Sequence, residues 1–201
     1  VSVVQTIRVG LTGGIGAGKS AVAEIWRERG AAIIDADLLA REAVAPGSPG
    51  LAAIAARWPG VIAAGGELDR AALARIVFAD DDERMRLNAI VHPRVRELAF
   101  QREDALPAGS VAVHVVPLLF ESDSWRTYDA TVLVTAPDEV RLARVVERDA
   151  VDAQGVVQRM HAQIAPAAAR ELATYVIEND GDRDALRERA ERVFDDVLAL
   201  R

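Results

Sequence analysis

The sequence predicts an α/β protein whose parallel β-sheet is covered by helices on both faces. Two observations carry that expectation. Strand-like and helix-like segments alternate along the chain, and most of the strands read as continuous apolar runs, as strands buried on both faces do. A glycine cluster, Gly13-Gly14-Ile15-Gly16-Ala17-Gly18, joins the first strand to the first helix. That junction is where phosphate-binding turns sit in such sheets.

In chain order, Ile7 to Thr12 reads as a short buried strand, followed by a helical segment from about Lys19 to Arg29 that Gly30 closes as a C-cap. Ala31 to Ile34 reads as the next strand and leaves through Asp35-Ala36-Asp37. A helix from about Leu38 to Val44 precedes the loop Pro46-Gly47-Ser48-Pro49-Gly50. Residues 51–105 read as mostly helical, with a break over Gly60–Gly66 and a kink or restart at His92-Pro93, where proline lacks the N–H that the helical ladder needs. Val111 to Val116 is an apolar, β-branched strand ended by Pro117, and Asp129 to Val134 is another. Pro137-Asp138-Glu139 opens a helix with proline early and acids in its first turn. Helical segments run to about Leu172, then a strand Tyr175–Ile177, a turn at Asn179-Asp180-Gly181 and a charged final helix. One domain is expected: a core over about 7–50, 111–148 and 173–201, an inserted helical lobe over about 51–105, and a smaller excursion over about 149–172.

Composition narrows the function. A chain of 201 residues, 51% hydrophobic and 27% charged, has ample material for a core and is not disordered. No cysteine is present, which excludes a disulfide framework, a Cys-based zinc site and a thiol nucleophile. A net charge of −7 and few aromatics argue against a general nucleic-acid binder. The longest apolar run, Val111 to Phe120, is interrupted by His114 and too short to cross a bilayer. The first residues lack a basic start and a cleavage site. A soluble cytoplasmic protein is therefore expected. Lys19 is the only lysine of the chain. Where every other cation is arginine, a lone lysine suggests a site that wants a compact ammonium on a flexible stem.

The glycine cluster continues into Lys19-Ser20 and so matches G-x-x-x-x-G-K-[ST] between a predicted strand and a predicted helix. The glycines let successive backbone N–H groups turn inward around phosphate oxygens, and the helix N-terminus adds unpaired donors. Lys19 can reach β- and γ-phosphates, and the Ser20 hydroxyl can ligate Mg²⁺. The rival dinucleotide fingerprint appears only in a loose form, Gly16-x-Gly18-x-x-Ala21, and leaves the Lys-Ser pair unexplained. A guanine-specific Asn-Lys-x-Asp loop is excluded, since the sole lysine is already used. Asp35 and Asp37 lie where the second strand leaves the sheet, so each is either a carboxylate for an attacking hydroxyl or a cap of the next helix. Arg144 and Arg148 share a helix face, either meeting charge on a transferring phosphoryl group or facing solvent. Arg159 has no partner at helical spacing. His92 sits on an otherwise apolar face, His114 reads as structural and His161 as solvated. No carboxylate–histidine cluster has metal-ligand spacing.

These residues closely resemble one family, dephospho-coenzyme A kinase. The likeness runs from Val9 to about Ala190 through Gly10 to Ser20, Ile34-Asp-Ala-Asp37, Leu39 to Glu42, Leu68-Asp-Arg70 and Val77-Phe78. It continues through Ile90-Val-His-Pro93, Pro117-Leu-Leu-Phe-Glu121, Arg144-x-x-x-Arg148-Asp149, Gln163 and Val176 to Gly181. The resemblance implies a P-loop kinase fold with a five-stranded parallel sheet, a helical acceptor-binding lobe and a lid. It implies transfer of the ATP γ-phosphate, with Mg²⁺, to the 3′-hydroxyl of dephospho-coenzyme A, the last step of coenzyme A synthesis. By the same resemblance, Asp37, Lys19 and Arg144 are catalytic. Gly14, Gly16, Ala17, Gly18, Lys19, Ser20, Ala21, Arg148 and Asn179 bind ATP, with Asn179 near the adenine. Thr12, Asp37, His92, Leu118, Glu121 and Gln163 bind the acceptor, and Ser20 holds the metal. No nucleic acid, membrane or obligate protein partner is implied. One position departs from many relatives: Val115 stands where they carry an aspartate two residues before Pro117. The alternatives are a P-loop kinase with another small hydroxyl acceptor and a nucleotide-binding regulator without acceptor chemistry.

Overall fold

The computed structural model describes residues 5–149, 152–161 and 163–200, with side chains for all of these except Arg159 and His161, whose sequence readings lie outside the described side chains. In chain order the elements are β1 (Ile7–Thr12), α1 (Lys19–Glu28), β2 (Ala32–Asp35), α2 (Ala36–Ala43), α3 (Pro49–Arg57), α4 (Arg70–Ala79) and α5 (Asp81–Asp104). There follow β3 (Val111–Val115), β4 (Ala130–Thr135), α6 (Asp138–Asp149), α7 (Ala153–His161), α8 (Pro166–Leu172), β5 (Tyr175–Glu178) and α9 (Arg183–Leu198). By internal contacts the chain forms two compact units, one made of Val1–Ile34 with Leu106–Arg201 and the other of Asp35–Ala105.

The first unit is built on a five-stranded parallel sheet in the order β2-β3-β1-β4-β5. β1 lies at its centre, paired with β3 on one side (Leu11 opposite Val115) and with β4 on the other (Thr12 opposite Leu133). Parallel neighbours need crossover connections, and helices supply them. The central strands carry Val9, Leu11, Val113, Val132 and Val134, all fully buried or nearly so. The core continues through α1 and α9, where the Trp26 indole N–H donates to the Ala190 carbonyl at 2.8 Å and its ring meets Phe194 at 5.5 Å. Truncating such a buried tryptophan to alanine costs about 3–5 kcal/mol. A second cluster, Leu119, Phe120, Leu133 and Ala169, seats α8 and the segment after β3.

The second unit is helical and has its own core of Val44, Ile54, Trp58, Val61, Leu73 and Val77. It begins at Asp35, earlier than the lobe that the sequence placed at 51–105. The reason is a long-range contact: Leu39 and Ala43 are buried, and Arg102 of α5 binds the Glu42 carboxylate of α2 at 2.9 Å. α3 starts at Pro49, inside the stretch read as loop, because the Ser48 hydroxyl accepts from the Leu51 N–H at 3.1 Å and proline suits the first helical position. α5 runs from Asp81 to Asp104 with Pro93 inside it, so the helix does not restart there. Proline removes a single ladder hydrogen bond, and here the Asp80 cap and three acids in the first turn support the helix N-terminus.

Candidate active site

The glycine loop leaves β1 at Thr12 and enters α1 at Lys19. Gly18, at the helix start, has φ 103°. That is left-handed territory where a side chain is strained, and a Cβ there would overlap the Asn179 amide nitrogen. The Lys19 ammonium is folded along the loop, donating to the Gly13 carbonyl at 2.6 Å and the Gly14 carbonyl at 3.3 Å. Ser20 is exposed in the first turn of α1, followed by exposed Ala21. Gly14, Gly16, Ala17, Gly18, Lys19 and Ser20 therefore lie together at one strand–helix junction with the ammonium beside them.

Asn179 supports the loop from beneath. It is 5% exposed, its backbone N–H donates to Thr135 at 2.7 Å, and its side-chain NH₂ donates to the Ala17 carbonyl at 2.8 Å. Arg144, half-buried on α6, donates to both the side-chain and backbone oxygens of Asn179 at 3.3 Å. Arg144 is thus tied to the residue that holds the loop. Arg148, one turn on, is exposed and paired with Asp149 at 2.6 Å, a hydrogen bond that raises its already high pKa.

Beside Gly13 and Gly14 opens a cavity of about 300 Å³. Thr12, Glu121 and Gln163 line it, together with Phe120, Thr135 and Arg141. Thr12 is buried and donates to the Pro117 carbonyl at 3.5 Å, at the edge of hydrogen-bond range. Glu121 accepts from the Ile164 N–H at 3.1 Å. Leu118 is 53% exposed and does not line the cavity.

In the second unit, Asp35 is the cap of α2, its carboxylate accepting from the N–H groups of Asp37 and Leu38 at 2.8 and 3.2 Å. Asp37 is exposed in the first turn of that helix. His92 is exposed on α5. Val115 is buried in β3, and no group of three His, Asp or Glu able to hold a metal occurs among the described residues. Sequence reasoning missed Arg141 and Asp138. Arg141 is 6% exposed, ion-paired to Asp138 at 3.0 Å and pressed on the loop. The available signal was their three-residue spacing at the start of a helix.

A loop shaped for phosphate, a lysine ammonium beside it and room for a second molecule next door suit movement of a phosphoryl group between two compounds. The protein has the fold of the P-loop kinases.

Residues 7–185 match the family model for dephospho-CoA kinase. A dephospho-CoA kinase of Frankia casuarinae is 48% identical over 96% of this chain and 84% of its own length. That of Streptomyces avermitilis is 44% identical over 96% and 94%. A crystal structure from Thermus thermophilus superposes with a TM-score of 0.85 at 37% identity, covering 97% of both chains. The chain belongs to the dephospho-CoA kinase family. No helix among its described residues is long and apolar enough to cross a membrane.

Proposed function

We propose that the protein transfers the γ-phosphoryl group of ATP to the 3′-hydroxyl of dephospho-coenzyme A, giving coenzyme A and ADP in the cytoplasm. The observation that carries this reading is the 300 Å³ cavity opening directly off Gly13 and Gly14 of the phosphate loop. It gives an acceptor a place next to the nucleotide's phosphates, and a regulator that only bound nucleotide would have no use for it. The loop N–H groups and Lys19 bind the phosphates, and Lys19 exchanges its hold on the Gly13 and Gly14 carbonyls for phosphate oxygens. Arg144 and Asn179 keep the Ala17–Gly18 turn in shape. Arg148, reached by breaking an exposed pair with Asp149, is free to meet the triphosphate. Thr12, Glu121 and Gln163 line the acceptor's space and Leu118 offers exposed surface to its remainder, while His92 is assigned to the acceptor by the family resemblance alone. With Asp35 engaged in capping, Asp37 is the carboxylate assigned to take the proton from the attacking hydroxyl.

The residues fit a magnesium ion that arrives with the nucleotide. Ser20 presents one exposed hydroxyl, and the absence of a carboxylate cluster among the described residues matches an ion held mainly by phosphate oxygens and water. When bound, Mg²⁺ supplies charge neutralisation of the β- and γ-oxygens.

An ADP-release assay over a panel of acceptors tests the proposal. Turnover is expected with dephospho-coenzyme A and ATP, and lost without Mg²⁺. Faster turnover on AMP, shikimate or gluconate would overturn the substrate, and nucleotide binding without turnover on any acceptor would favour a regulator.

A further inference from the structure

Ile15, at the apex of the phosphate loop, has both of its backbone polar groups held by distant side chains. Its N–H donates to the Gln163 side-chain oxygen at 3.0 Å. Its carbonyl accepts from Arg141 Nε at 2.9 Å. The same Gln163 oxygen lies 3.4 Å from Arg141 Nη2, and Arg141 Nη1 binds Asp138 at 3.0 Å. Two donors converge on that oxygen, which fixes the orientation of the Gln163 amide. Arg141 also explains the glycines on either side of Ile15. A Cβ on Gly14 would overlap its guanidinium, and one on Gly16 would overlap its carbonyl oxygen. The Arg141 side chain is 7% exposed, so these bonds are shielded from competing water.

We propose that Arg141 and Gln163 are positioning residues that clamp the Ile15 peptide and so couple the segment between α7 and α8 to the shape of the phosphate loop. The clamp holds the apex peptide in one orientation, with its N–H turned to Gln163, while the following N–H groups remain directed at phosphate. When Gln163 moves away with its segment, the Ile15 peptide is released and the loop loses its preformed shape. The position of this segment thereby sets nucleotide affinity without Gln163 touching the nucleotide. The inference rests on the loop being the nucleotide's phosphate site, but its first test does not.

That test is amide hydrogen exchange at Ile15 in the nucleotide-free full chain. Slowed exchange is expected in the wild type. A hydrogen bond of this kind is worth roughly 2- to 12-fold in an equilibrium, so Gln163→Ala should speed Ile15 exchange by about that factor. Gln163→Glu keeps an acceptor oxygen against both donors and should restore protection. The second test is steady-state kinetics: because Gln163 also lines the cavity, the readout is the nucleotide side, and Gln163→Ala should raise the KM for ATP by a similar factor of roughly 2–12. Arg141→Met should act the same way, and the double variant should be no worse than the worse single one, because both belong to one clamp. If Arg141→Met does not fold, the Gln163 variants at their half-buried position decide. Unchanged Ile15 exchange in Gln163→Ala overturns the clamp. Lost protection with a raised acceptor KM and an unchanged ATP KM overturns the coupling and makes Gln163 an acceptor contact.

Discussion

Replacing Asn179 by leucine tests how the loop is held. The two side chains are of similar size, so the change is chemical. It removes the NH₂ that donates to the Ala17 carbonyl at 2.8 Å and the oxygen that accepts from Arg144 at 3.3 Å. The site is 5% exposed, so water does not replace the lost donor. Stranding one buried carbonyl costs about 1–3 kcal/mol. For a chain of this size each kcal/mol corresponds to a Tm change of about 2–4 °C, so a fall of about 2–12 °C is expected. The freed Ala17–Gly18 turn also displaces the N–H groups aimed at phosphate, and ADP binding should weaken at least about tenfold. Thermal denaturation followed by circular dichroism and calorimetric titration with ADP give the two numbers. Asn179→Asp separates the two contacts, because it keeps an acceptor for Arg144 but points an oxygen at the Ala17 carbonyl. It should weaken ADP binding as much as leucine does if the donor is what matters. A leucine variant that melts within about 1 °C of wild type and binds ADP within twofold would refute the reasoning.

Three further outcomes follow from the same geometry. Lys19→Arg should nearly abolish turnover with the melting temperature preserved, because a planar fork cannot settle between the Gly13 and Gly14 carbonyls as an ammonium does; turnover within a few-fold of wild type would remove Lys19 from the phosphate site. Asp37→Asn should lower kcat at least about a hundredfold with little change in stability, whereas Asp35→Ala should lose about 0.5–2 kcal/mol through its broken cap; a deeper kcat loss in Asp35→Asn, which still caps, would transfer the base to Asp35. Asp180 is held below its ordinary value of 3.8, first by its hydrogen bond from Arg189 and then by that residue's charge. Its contribution to stability is therefore present above the ordinary carboxylate range and lost as pH falls through the lowered value. An NMR titration of Arg189→Met should return Asp180 towards 3.8, and an unmoved midpoint would show that the pair has no electrostatic effect.

The phosphate loop was readable from the chain because its chemistry is contiguous. The glycines, Lys19 and Ser20 all lie within a single strand–helix junction, and a local motif needs no knowledge of distant contacts. The strands were readable for a similar reason, since burial on both faces writes an unbroken apolar run. β1 starts and ends where the sequence placed it, at Ile7 and Thr12. The two aspartates behaved differently. Both have the residue type for a cap or a base, and only the direction of the Asp35 carboxylate towards the N–H groups of Asp37 and Leu38 separates them.

What holds the loop was decided by tertiary structure alone. Arg141, Gln163 and Asn179 reach it across 126, 148 and 162 residues of chain. No periodicity links such positions, because a side-chain bond between elements depends on strand order and helix placement, which exist only once the sheet has formed. The reach of the second unit down to Asp35 has the same origin. α2 follows β2 directly in sequence, yet its buried face and the Glu42–Arg102 pair belong to α5, more than fifty residues later. Local steric rules and binary pattern determine which segments are strands, helices and turns, whereas their partners are set by long-range burial and hydrogen bonding between them.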